Sequence, residues 1–218
     1  VEIQNNVLVW YGMEFDIWII IMTWIVMELI TALALLAYWR LSWIPKGWQN
    51  LMEMAVEFVE NAVRDNLGPN RVKYTYFFGS LFLFIFCSNM LGLIPGLASP
   101  TRSVSVTLGL SFLVVIWMQY IGVKENGFLR YLKHFLSPNP AFLPLHLMEL
   151  VTRPLTLALR LFGNIFAGEI LIEELTKIFY IGIPSIWLLM SVLIGAIQAY
   201  IFTVLSLAYT GLSIEDKH

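Results

Sequence analysis

Of 218 residues, 59% are apolar and only 13% are charged, and the mean hydropathy is +0.76. That is too little polar surface for an ordinary soluble domain and is the composition of a polytopic membrane protein. A net charge of −2 argues against nucleic acid as a partner, and a single cysteine, Cys87, excludes an internal disulfide.

The chain starts at Val1 without Met, which leaves N-terminal trimming open, and no signal-peptide pattern stands at its start. Residues 15–38 are the first run long enough to span, flanked by Trp10, Tyr11, Trp39 and Trp43, which suit the two interfaces. Its acidic residues, Asp16 and Glu28, fit interfacial, helix-end or partner-facing positions. Residues 46–67 place Leu51, Met52, Ala55, Phe58, Val59 and Ala62 on one stripe, opposite Glu53, Glu57, Glu60 and Arg64. This is the pattern of an amphipathic helix lying on the membrane surface, with a solvated acidic face.

Residues 74–97 and 103–123 read as a spanning hairpin joined through Pro95, Gly96 and Pro100, and a polar loop with Gly127, Pro138 and Pro140 follows. Two more helical runs, 145–181 and 185–212, break at Gly182-Ile183-Pro184. At 1.5 Å per residue they reach roughly 55 and 42 Å, beyond a hydrocarbon core of about 30 Å, so they must tilt steeply, bend or overhang. The expected fold is all-α, with residues 1–218 as one membrane domain: a polytopic bundle, a surface helix and two long tilted helices.

Orientation follows from the short connections. No Lys or Arg precedes the first span; Arg40, Lys46, Arg64, Arg71 and Lys73 follow it, and Lys124, Arg130 and Lys133 follow Val123. The Pro95–Ser103 turn has only Arg102. Basic loops face the cytoplasm or its equivalent, which puts the N-terminus outside and the C-terminus inside.

Chemistry concentrates in the fifth run. Arg160 sits in the apolar stretch 155–172, where a guanidinium costs from roughly 3 to more than 10 kcal/mol, so a polar cavity or an anionic partner is implied. On a helical wheel Glu149, Arg153, Thr156, Gly163, Asn164 and Ala167 fall within roughly 60° of it, a polar and small-residue face that another helix can approach closely. Glu169 falls on the opposite side, continued by Glu173 and Thr176. On the last helix Ser191, Gly195, Gln198 and Phe202 share a face that fits a wet path beside Glu169. Plainer roles stay open: a Ser191 hydroxyl bonded to its own helix, Gln198 in an interhelical hydrogen bond, Glu169 as a packed carboxyl and Arg160 as a structural ion-pair partner. His134 and His146 lack a further ligand set for a metal, no Ser, His and Asp arrangement has local support, and no phosphate loop for ATP is present.

The stretch from Pro154 to Glu169, with Leu159-Arg160-Leu161-Phe162-Gly163-Asn164 at its centre, resembles the stator subunit a of F-type ATP synthases. The likeness extends from Ser88-Asn89-Met90-Leu91-Gly92-Leu93-Ile94-Pro95 to Gln198-Ala199-Tyr200-Ile201-Phe202. It implies a non-catalytic, multi-pass subunit without cofactor that passes protons, or Na⁺ in a variant, through two half-channels to a rotor ring of c subunits. Peripheral-stalk b subunits, other ATP synthase subunits and membrane lipids are the implied partners. The resemblance gives Arg160 the role of preventing leak and associates Asn164, Glu169 and Gln198 with the outer half-channel and Glu149 with the inner. Where the family often has a histidine paired with the Glu169 position, this chain has Ser191, which favours a water-bridged path. The membrane implied is bacterial, with thylakoid and mitochondrial inner membranes as the other settings. A secondary transporter with an intramembrane Arg and Glu site, and a membrane scaffold, are the competing readings.

Overall fold

The structure, a computed structural model, describes residues 2–4, 7–10, 13–39, 47–94, 96–127, 143–178 and 182–214. Tyr11, Trp43, Pro95, His134, Pro138, Pro140 and Ile181, and the basic residues Arg40, Lys46, Arg130 and Lys133, lie outside the described residues.

Three short antiparallel strands, β1 (Glu2–Gln4), β2 (Val7–Trp10) and β3 (Met13–Asp16), form a meander ahead of the helices. The helices are α1 (Ile17–Trp39), α2 (Trp48–Leu67), α3 (Thr75–Leu91), α4 (Val104–Asn126), α5 (Leu143–Ile178) and α6 (Gly182–Ile214). A kinked six-residue 3₁₀ segment (Pro69–Tyr74) precedes α3, and a single 3₁₀ turn (Pro100–Arg102) precedes α4. Among the described residues five helices are long and apolar enough to cross a membrane, and α2 is the exception. The all-α membrane bundle therefore stands, with the small meander added to it.

Local chemistry sets the joints. Gly68 stops α2 with φ +89°, a conformation that side chains resist, and donates its N–H to the Arg64 carbonyl at 3.0 Å before Pro69 opens the next turn. Pro154 lies inside α5, where it removes one rung of the hydrogen-bond ladder. Such a gap is tolerated in lipid only when neighbouring helices shield it, and Pro154 is buried.

One core runs through five of the helices. Val59, Val63 and Leu67 of α2 meet Phe78, Leu81 and Ile85 of α3, and Val114 and Ile121 of α4. Leu157 and Leu161 of α5 and Ala199, Phe202 and Leu207 of α6 complete it. Helix α1 stands at the edge, holding Met22 and Val26 against Leu91. On α2 the apolar arc is wider than this seam: Val59 is buried, whereas Leu51 and Phe58 remain exposed, Phe58 with its ring 5.2 Å from that of Tyr200.

Among lipid tails, packing contacts and hydrogen bonds hold helices together, since burial from water is already accomplished by insertion. Hydroxyls inside the spans are satisfied mainly by their own helices: Ser111, Thr203, Ser206 and Thr210 each donate to the carbonyl four residues earlier. At one end of the bundle Glu125 accepts from Lys73 at 3.0 Å and from the Tyr74 hydroxyl at 2.6 Å, and Asn126 Nδ2 donates to the Ser213 carbonyl at 3.1 Å. This ties α4 to the start of α3 and the end of α6.

Candidate functional site

Arg160 projects from α5 as an exposed residue, and among the described residues no hydrogen bond or ion pair reaches it. Leu155, Thr156 and Leu159 beside it are also exposed. A Cβ added to Gly163 would meet nothing within 4 Å. Among the described residues the strip around the guanidinium is therefore open on the outside of the bundle.

Toward the N-terminal end of α5, Arg153 Nη2 donates to Glu149 Oε2 one turn away. The Arg153 guanidinium lies 5.2 Å from the ring centroid of Tyr209 on α6. Glu149 is thus neutralised within its own helix, and the pair braces α5 against α6.

Toward the other end a cavity of about 610 Å³ opens between α5, α6, the end of α3 and the Pro100–Arg102 turn. Asn164, Glu169 and Glu173 border it from α5, and Trp187, Ser191 and Gly195 from α6. Glu169 Oε2 lies 3.2 Å from Arg102 Nε, and both carboxylate oxygens are screened from solvent without a hydrogen bond of good geometry. The Arg102 guanidinium and the nearby Ser99 backbone N–H are thus the electrostatic compensation this carboxylate has among the described residues. Glu173 is exposed and pairs with Lys177 at 3.3 Å. Ser191 donates to the Trp187 carbonyl at 2.9 Å while still lining the cavity, so its hydroxyl oxygen keeps accepting capacity for water. Trp187 Nε1 in turn donates to the Gly168 carbonyl at 3.3 Å, fastening α6 to α5 beside Glu169.

Beneath this cavity is a buried polar network. Asn89 Nδ2 donates to the Gly195 carbonyl at 3.0 Å, and Thr101 Oγ1 donates to Asn89 Oδ1 at 2.8 Å. Ser99 Oγ donates to the Ser88 carbonyl at 2.9 Å and stands 2.6 Å from Thr101 Oγ1. Gln198 is only 5% exposed, does not border the cavity, and its Nε2 has no hydrogen-bond partner among the described residues.

Of the residues singled out from sequence, Asn164, Glu169, Glu173 and Ser191 therefore share one cavity. Arg160 stands on the open flank, Gln198 in the interior and Glu149 toward the far end. Asn164, grouped with Arg160 by helical angle, borders the cavity because that space reaches around α5. Sequence reasoning missed Arg102, Asn89, Ser99 and Thr101. Arg102 did leave a signal, as a lone basic residue in a turn on the side where short connections otherwise lack Lys and Arg.

The family model described as ATP synthase A chain matches residues 20–211. The chain belongs to this family. "ATP synthase subunit a 2" of Syntrophotalea carbinolica is 37% identical, with 90% of this chain and 85% of that protein covered. "ATP synthase subunit a" of Streptococcus agalactiae is 37% identical over 95% and 94% of the two chains, and that of Anoxybacillus flavithermus 36% identical over 96% of each. The part of the chain that matches the ATP synthase A chain family holds Arg160, the whole cavity from Asn89 to Gly195 apart from Trp18, and Glu149 and Gln198. The β-meander lies outside it.

Proposed function

We propose that this stator subunit of an F-type ATP synthase passes protons between the two sides of the membrane and a rotor ring of c subunits, and performs no bond chemistry itself. The observation that carries the proposal is Arg160: a guanidinium without a partner among the described residues, on the open flank of α5, beside a glycine gap, on a helix whose other side borders a cavity with a carboxylate.

The cavity at Glu169 serves as the outer half-channel. A proton from its water reaches Glu169, and water beside Asn164 and Ser191 carries it on to a ring carboxylate. A ring carboxyl that turns into lipid must be neutral, because a bare charge there is costly, whereas beside Arg160 the ionised form is favoured. Arg160 therefore promotes release toward the inner path, near Glu149 and Arg153. Its fixed charge repels any cation that would pass between the half-channels without turning the ring. Each charge moved through the potential yields about 2.3 kcal/mol per 100 mV, so several must add for each ATP made elsewhere in the complex.

The exposed apolar side chains of α1, among them Trp18, Trp24, Leu35 and Leu36, offer a flank for the spanning helices of b subunits. The relatives named above are bacterial, which supports the bacterial plasma membrane as the location.

The test is crosslinking from Thr156→Cys, one turn from Arg160, in native membranes of a strain whose Cys87 is replaced by Ser. Capture of a small two-helix protein with a mid-membrane carboxyl is expected. Capture of nothing, or of a second copy of this chain alone, would overturn the reading in favour of a transporter that works within its own bundle.

A further inference from the structure

Among the described residues Arg102 is the one cation that faces Glu169 across the cavity, and its placement is built into the fold. It ends a 3₁₀ turn whose first two residues, Pro100 and Thr101, are buried, as is Ser99 before them. The Ser99 and Thr101 hydroxyls anchor that turn to Ser88 and Asn89 at the end of α3, and Asn89 is tied in turn to Gly195 of α6. Gly92 has no side chain to hold Ser99 away. Three buried hydrogen bonds and a close backbone approach therefore fix the base of a side chain that is itself half-exposed, reaching from the anchored turn over the cavity to Glu169.

We infer that Arg102 is a positioning residue for proton uptake: it holds the Glu169 carboxylate ionised and aimed at the cavity, so that the relay site is ready to accept a proton from the outer water. The inference rests on the reading of Glu169 as part of the outer half-channel. In the step, a hydronium ion in the cavity gives its proton to a Glu169 oxygen, leaving water and a neutral carboxyl, while Arg102 stays charged. The neutral carboxyl no longer needs the guanidinium, and the half-exposed Arg102 side chain is free to turn toward cavity water. Transfer of the proton onward through water to a ring carboxylate restores the Glu169 charge, and the ion pair reforms. Without Arg102 the carboxylate keeps only the Ser99 backbone N–H as compensation and either stays neutral, blocking acceptance, or swings away from the path.

The experiment uses the complete ATP synthase in vesicles, with synthesis driven by an imposed proton gradient and potential, and compares Arg102→Gln, Arg102→Lys, Glu169→Gln and the double Gln variant. If Arg102 acts through Glu169, each single Gln variant slows synthesis by about a hundredfold, the lower end of the scale for one proton-transfer group. The double variant is then no slower than the slower single, and Arg102→Lys recovers part of the rate because the charge is kept. An unaltered rate in Arg102→Gln, or losses that multiply in the double variant, would overturn the inference while leaving Glu169 on the path. Failure of Arg102→Gln to assemble, with Glu169→Gln assembling normally, would also overturn it by assigning Arg102 to folding. An unaltered rate in Glu169→Gln would instead remove the reading on which the inference stands.

Discussion

A β-carbon on Gly92 would lie 2.5 Å from the β-carbon of Ser99, with the Ser99 backbone nitrogen and Cα at 3.2 Å. Backbone cannot swing aside as a flexible side chain does, so Gly92→Ala must push the whole Pro100–Arg102 turn outward. The expected destabilisation is about 1–3 kcal/mol, the usual scale of overpacking. The Arg102 to Glu169 pair should loosen with it. Thermal unfolding of the purified complex and the rate of proton-driven synthesis check the two effects, and both should fall.

Arg160→Ala removes the fixed charge and opens more space on an already open strip. Coupled synthesis should drop to background, while membranes stripped of the catalytic sector should leak protons faster than wild type. A pH-sensitive dye in inverted vesicles reads the leak. A variant that still couples fully would sink the role assigned to Arg160.

Gly163→Leu separates the chain from its partner. Among the described residues the β-carbon of the new side chain meets nothing within 4 Å, so membrane insertion and the amount of subunit should stay near the wild-type level. The same side chain fills the gap beside Arg160, and copurification of the ring should fall sharply. Quantitative mass spectrometry of affinity-purified complexes gives both numbers from one sample.

Asn89 and Gln198 are both buried amides with opposite situations. Asn89→Leu loses a donor to Gly195 and an acceptor for Thr101, and should cost about 1–3 kcal/mol because the partners are left unpaired. Gln198→Leu removes an amide nitrogen that has no described partner, so stability should hold or rise slightly. If Gln198 earns its place through ion flow, its Leu variant should melt like wild type yet conduct more slowly. Melting and passive conductance measured together decide this.

Much of the architecture was legible because lipid imposes a simple demand: backbone groups must be satisfied within the segment, so long apolar runs can only be helices. Arg160 was legible for the same reason, as a charge where charge is expensive. Helical angle also put Glu169 and Glu173 on a side of α5 away from Arg160, and both border the cavity. What the chain did not disclose were contacts between distant segments. Asn89 and Gly195 are 106 positions apart, and nothing in their local patterns marks them as partners. Arg102 registered only as a charge in a turn, since the wheel that orders one helix says nothing of what a separate turn lays across it. The β-meander escaped because strands of three and four residues are too short to establish an alternation.

The bare guanidinium on the flank of α5 also bears on how such a subunit survives before assembly. A copy inserted ahead of its ring must hold Arg160 in a local water defect or drag it toward the headgroups, distorting either the lipid or the helix. An orphaned copy is thereby made different from an assembled one by the distortion around this charge. Surplus subunit made without a partner on that flank should have a short lifetime, and the leak-blocking role proposed for Arg160 would then be joined by a second one, keeping unassembled copies from accumulating in the membrane.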